Sequence, residues 1–266
     1  MPELSIQPDT TIHYVIDDFS WPWETPETVL CVPGLAECNE VWAPWVPYLA
    51  RAARILRMDQ RGMGASSAMP EDYPWSLDGL ADDVAALIGK EAPKGAHLIG
   101  AKIAGPVVVR TATRHPALVK SLVLVGMPIK GPSEPGWSAL LEAEGVRGWA
   151  AAPMDARLAG MSTAAKEWWA DMMARTPVST LRGFLPFLER IDVGDDLEKI
   201  ACPTLVISSD SPRRPIDATR AWQEKIPGST LAVVPGDGHH AAATQAVECA
   251  VLAAGFIGGL IDVPSA

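Results

Sequence analysis

His97-Leu98-Ile99-Gly100-Ala101-Lys102-Ile103-Ala104-Gly105 is the stretch that decides the fold of this 266-residue chain. Ala96, Leu98 and Ile99 run into a turn of small residues, and an apolar segment, Pro106 to Val109, follows directly. A strand that breaks sharply into a helix needs small residues on both sides, because the two backbones pass close together. The residue at the tip of such a turn sits in strained backbone geometry, with its side chain presented at the end of the sheet. A nucleophile is expected there, and the chain supplies Lys102.

Working outward, the apolar runs alternate with helical spacing. Residues 4–17 alternate apolar and polar around a Pro8-Asp9 break, predicting an antiparallel hairpin at a sheet edge. Residues 28–32 and 54–58 read as buried parallel strands, the first ending in Pro33-Gly34. A helix runs through Trp45 and Leu49 between them. The Gly-rich loop from Asp59 to Ser66 lacks the GK[ST] of a phosphate cradle. Residues 76–90 have helical spacing with Ser76 as N-cap. The helix after the opening stretch continues to about Arg114, and residues 118–125 form the next strand. From Met127 to about Asp195 the rhythm stops: Pro128, Pro132, Pro135, Pro153, Pro177 and Pro186 punctuate amphipathic pieces that carry Trp137, Trp149, Trp168 and Trp169. The rhythm resumes with a strand at 203–208, a helix at 215–226, a strand at 230–234 and a last helix at about 245–261. Strands alternating with helices predict an α/β fold with a parallel sheet and ligands at the carboxyl ends of its strands.

Composition narrows the function. Hydrophobic residues make up 48% and charged residues 20%, enough for a large core. A net charge of −10 argues against nucleic acid or an anionic membrane as partner. No apolar run reaches the ~18 residues of a membrane span. No signal peptide is visible at Met1-Pro2-Glu3-Leu4. Cys31, Cys38, Cys202 and Cys249 are scattered, which suits reduced thiols in a cytoplasmic protein. No cofactor or metal is expected; the expected partner is a small-molecule substrate, and a homodimer stays open.

Four landmarks together resemble the α/β-hydrolase superfamily over nearly the whole chain. Pro33-Gly34 followed by Val41-Trp42 is similar to its oxyanion loop, and residues 57–66 to its D-x-R-G-x-G-x-S loop. Residues 98–105 resemble the nucleophile elbow. Pro235-Gly236-Asp237-Gly238-His239 resembles the turn that carries the catalytic histidine. The resemblance implies a mostly parallel central sheet flanked by helices, with residues 1–127 and 196–266 as core domain and 128–195 as a helical cap. It departs from the family at three points. Lys102 stands where the family has Ser, Asp or Cys; Pro33 replaces a His; and Ser208-Ser209-Asp210-Ser211-Pro212 offers only a displaced Asp210 as triad acid.

The candidate site is therefore Lys102, His239 and Asp210, with the backbone N–H groups of Leu35 and Ile103 as the oxyanion hole implied by the resemblance. A lysine partly desolvated under a cap has a lowered pKa and becomes a nucleophile or base. Asp210 would orient His239, as a triad acid does. His240 is the neighbour that competes with His239, while His13, His97 and His115 read as structural. Glu37 and Asn39 sit in the oxyanion loop without a motif behind them, and the cap tryptophans suggest an apolar or aromatic pocket. The expected function is an enzyme acting on a small, largely apolar carbonyl compound of ester, lactone or diketone type. The alternatives are a Schiff-base lyase or decarboxylase using Lys102, a non-catalytic binder, and a cofactor-free oxygenase or lyase with His239 alone as base.

Overall fold

The computed structural model describes residues 2–7, 10–134 and 136–261; the Pro8-Asp9 break and Pro135 lie outside them. Eight strands form one sheet in the order β1-β2-β4-β3-β5-β6-β7-β8. β1 (Glu3–Gln7) and β2 (Thr10–Asp17) pair antiparallel at the edge, as the alternating pattern predicts. β2 also runs antiparallel to β4 (Ala53–Met58). From β4 onward every pairing is parallel, through β3 (Glu27–Val32), β5 (Ala96–Ala101), β6 (Val119–Val125), β7 (Thr204–Ser209) and β8 (Thr230–Val234).

The parallel strands are apolar because both faces are covered. α2 (Leu77–Glu91) and α3 (Ala104–Arg114) pack together over one face, with Leu80, Val84, Leu87 and Val108 in that core. Ser76 caps α2 by accepting the Gly79 N–H at 3.0 Å, which satisfies one free helix-start donor. The other face carries a 3₁₀ helix at Asn39–Trp45, then α1 (Val46–Leu49) and α10 (Ala246–Gly258). There Trp42, Trp45, Leu49, Ala250 and Ile257 close a second core.

Between β6 and β7 the chain makes α4 (Trp137–Ala151), α5 (Met154–Arg157), α6 (Thr163–Met173) and α7 (Val178–Leu188). Trp149, Trp169 and Phe184 are buried among them, whereas Trp168 is exposed. α8 (Ile216–Gln223) links β7 to β8, and α9 (Ala241–Thr244) precedes α10. Because β3, β5, β6, β7 and β8 are parallel, Gly34, Lys102, Gly126, Asp210 and Pro235 all follow strand ends on the same edge of the sheet. Among the described residues no helix is long and apolar enough to cross a membrane.

Candidate active site

β5 lies between β3 and β6, so the residue that ends it stands at the middle of that edge. Lys102 has φ of +56°, in the left-handed region that non-glycine residues enter at a cost of about 1–3 kcal/mol. Its N–H donates to the Val125 carbonyl of β6 at 3.0 Å, and its carbonyl accepts the Gly105 N–H at 3.0 Å. The flanking glycines are sterically required. A Cβ on Gly100 would meet Val108 Cγ2 at 2.7 Å and the Ala104 carbonyl at 2.8 Å, and one on Gly105 would meet Met127 Cγ at 2.3 Å. The turn is thus a true strand-to-helix elbow with an amine at its tip.

That amine lines a cavity of about 430 Å³, whose wall also includes Leu35, Ile103, Trp137, Arg214 and His239. A cavity of this size sits at the small end of ligand sites. Lys102 Nζ donates to the His239 carbonyl oxygen at 3.3 Å, and among the described residues no carboxylate pairs with it. Burial drives its pKa well below the usual lysine value, and Arg214 and Arg157 push the same way against a smaller opposing pull from Glu37. The ammonium form has too little to offset its lost hydration.

His239 is buried at the end of the turn that follows β8, with its ring against the cavity. Its Nδ1–H donates to the carbonyl of Ala156 in α5 at 2.7 Å, which fixes the tautomer and leaves Nε2 as an acceptor. Burial, then the Lys102 charge, hold its pKa down to about 2, against the pull of the Ala156 carbonyl. Lys102 and His239 therefore stand at one cavity with the pKa of each pushed down, which favours their unprotonated forms.

Asp210 does not join them. Its carboxylate is exposed and accepts the Ile216 N–H at 3.0 Å, so it caps the turn into α8, and the orienting acceptor of His239 is the Ala156 carbonyl instead. A hydrogen bond to Ile216 satisfies the displaced aspartate locally, before it can reach the ring.

Leu35 and Ile103, whose N–H groups are the expected oxyanion donors, both line the cavity. Among the described residues neither N–H donates to a protein acceptor, although both residues are buried. A backbone N–H without a protein partner is free to donate to a ligand.

Glu37 holds the loop that carries Leu35. Its Oε2 accepts the Gly34 N–H at 2.9 Å and its Oε1 accepts His240 Nε2 at 2.9 Å, with Arg157 Nη1 at 3.7 Å. Burial works to raise the Glu37 pKa, but His240 and Arg157 outweigh it, and the carboxyl stays below its usual value. Asn39, the other loop candidate, is turned away from substrate: its amide groups donate to Asp59, which also accepts His13. His97 and His115 are likewise occupied, by Ser121 and Asp82.

Three features of the site have no motif behind them: the Ala156 carbonyl, the Glu37–His240 pair, and the arginines. A backbone carbonyl leaves no trace in a sequence. The arginines do leave one, Pro212-Arg213-Arg214-Pro215 at a strand's carboxyl end in an acidic chain. The cavity is correspondingly less apolar than the tryptophans suggest. Trp137, packed edge-on to Trp149 at 5.8 Å, is the tryptophan that reaches it.

A family model described as the alpha/beta hydrolase fold matches residues 27–244. A Caulobacter sp. (strain K31) protein provisionally named carbamate hydrolase RutD is 27% identical over 254 residues, spanning 87% of this chain and 91% of the relative. The enol-lactonase from Burkholderia xenovorans LB400 superposes with a TM-score of 0.87 at 21% identity, covering 96% of this chain and 99% of the other. A thermophilic esterase from Thermogutta terrifontis superposes with a TM-score of 0.83 at 22% identity, covering 98% and 99%. At those identities the two structures speak for the fold.

Proposed function

Because the chain belongs to the α/β-hydrolase-fold family, we propose that it hydrolyses a small carbonyl compound of ester or lactone type, with Lys102 activating the water. The observation that carries this reading is the buried, depressed Lys102 amine at the elbow tip, in a cavity lined by Leu35 and Ile103. The name of the Caulobacter relative, a carbamate hydrolase, supports water as co-substrate.

An acyl-enzyme on Lys102 is disfavoured by elementary chemistry. Amine attack on an ester makes an amide, which is harder to hydrolyse than the ester it came from. Direct attack by water avoids that trap. In this reading Lys102 Nζ takes a proton from water as the water oxygen bonds to the carbonyl carbon. His239 Nε2 accepts the second hydrogen and orients the molecule. The oxyanion rests on the Leu35 and Ile103 N–H groups. As the carbon–oxygen bond to the leaving group breaks, the Lys102 ammonium returns its proton to the departing oxygen. Lys102 is the base of the pair in this reading, since burial and neighbouring charge hold the His239 ring far below its usual range. Residues 128–195 serve as the cap that keeps bulk water out, and the four free cysteines fit a cytoplasmic setting.

The same neutral amine supports a second reading, imine formation with a ketone or diketone and loss of water. One experiment tests both. Small esters, lactones and diketones are incubated with the protein and products are read by mass spectrometry, with and without borohydride. Ester or lactone hydrolysis that falls roughly 10²–10⁴-fold in His239→Ala, with no adduct on Lys102, is the expected result. A borohydride-trapped adduct would favour the imine reading, and no product from any compound would sink both.

A further inference from the structure

We propose that the cavity recognises a carboxylate on its substrate, bound by the Arg214 guanidinium beside the elbow. The proposal rests on the hydrolase reading only for the identity of the reacting carbonyl. The cationic side chains around the cavity differ in one respect. Arg213 pairs with Glu134 at 2.9 Å, Lys130 with Asp192 at 3.1 Å, and Arg157 stands 3.7 Å from Glu37. Among the described residues Arg214 pairs with no carboxylate, and its Nε is buried without a hydrogen-bond partner. A guanidinium does not shed its charge in a protein, so a desolvated one needs an anion. The chain as a whole carries −10, yet leaves this cation unmatched in its cavity.

The arginine is placed rather than loose. Arg214 N–H donates to the Ser211 carbonyl at 2.8 Å, and Ser211 N–H donates back at 3.2 Å, closing a tight turn after β7. This turn stands where Asp210 fails to reach His239. The guanidinium passes Gly126 at the end of β6, where an added Cβ would lie 3.9 Å from Nε and 3.5 Å from the His239 carbonyl. That carbonyl is the one Lys102 Nζ contacts, so Arg214 and the amine share a neighbourhood. Arg214 is also the charged group that most depresses the lysine. An anion on Arg214 offsets that repulsion and returns basicity to Lys102 when substrate binds. The planar fork suits a carboxylate, which it grips through two parallel N–H bonds. Substrate class then narrows to a short acid carrying a second, hydrolysable carbonyl.

The test is binding, measured calorimetrically on the full chain. The probes are the monomethyl esters of succinic, glutaric and adipic acid, each beside its uncharged amide twin, with His239→Ala protein used to prevent turnover. At least one half-acid is expected to bind roughly ten- to a hundredfold more tightly than its amide. Arg214→Gln should abolish that difference and Arg214→Lys restore part of it, with circular dichroism confirming that each variant folds. Equal binding of acid and amide across the series, or an acid preference that survives in Arg214→Gln, overturns the proposal. So does equal displacement of the acid by sodium chloride at matched concentration, which would mark a site for free inorganic anions. Hydrolysis of neutral esters with no acid preference would leave the hydrolase reading standing and this inference refuted. Acid-selective binding, with no hydrolysis of any probe by the wild-type protein, would do the reverse.

Discussion

Replacing Lys102 with Met keeps an unbranched side chain one atom shorter, and the strained φ, while removing the amine. The effect on stability is worked from proton linkage. In the unfolded chain the lysine holds its proton up to about pH 10.5. In the folded chain burial, with Arg214 and Arg157, depresses it well below that value. Between the folded and unfolded pKa the unfolded state carries one extra proton, so stability rises with pH across that window. The penalty is largest at low pH and vanishes above the unfolded pKa. One proton corresponds to about 1.4 kcal/mol per pH unit, so the wild type should gain stability relative to Lys102→Met as pH rises toward the unfolded lysine pKa, at a slope of up to that size. Urea unfolding followed by tryptophan fluorescence reads this directly, since the chain has ten tryptophans. Thiols that titrate in the unfolded state are common to both proteins and cancel in the difference. Equal m-values at each pH guard the comparison. Parallel stability curves, with a difference constant to within about 0.5 kcal/mol, would show that the folded amine keeps its proton and would refute the base assignment.

Other perturbations address neighbouring parts of the site. Gly105→Ala places a Cβ 2.3 Å from Met127 Cγ and should cost about 1–3 kcal/mol, with part recovered by adding Met127→Ala; calorimetric melting decides it. Glu37→Gln leaves His240 and Arg157 facing an uncharged partner and should destabilise by about 3–5 kcal/mol at neutral pH. Because the folded Glu37 pKa is lowered, its contribution is present above the unfolded carboxyl value and fades as pH falls through the lower folded one. The wild type should therefore lose stability below about pH 4.5 more steeply than Glu37→Gln in acid titrations. Asp210→Asn should change stability by no more than about 0.5 kcal/mol and leave kcat/KM intact, because the carboxylate is exposed on the Ile216 N–H. A loss approaching the roughly 10⁴-fold seen when a triad acid is neutralised would reinstate Asp210 as the residue that orients His239.

The fold was legible because its signals are local. Apolar runs of strand length, the Ser76 cap and the small residues around Lys102 each depend on neighbours in sequence. The steric reading of the elbow carries straight into contacts, with Gly100 against Ala104 and Gly105 against Met127. Partner choice within the site was less legible, because it depends on how loops from distant strands face one another. Asp210 lies at the right strand end, but its hydrogen bond to Ile216 settles its direction. The His239 ring is oriented by a carbonyl 83 positions earlier in the chain, and backbone oxygens look alike in every sequence. Glu37 pairs with His240 across 203 positions. Arg214 stands out once Arg213 and Lys130 are seen to be paired while, among the described residues, it pairs with no carboxylate.

Lys102 at the elbow tip is the centre of the account, and steady-state turnover of Lys102→Met against wild type tests it most directly. The substrate is whichever small ester or lactone the wild type hydrolyses fastest, with circular dichroism verifying the variant's fold. A kcat/KM roughly 10²–10⁴-fold below wild type is the predicted result. A variant that turns over substrate at the wild-type rate would contradict it, and would leave the amine a bystander on a strained turn.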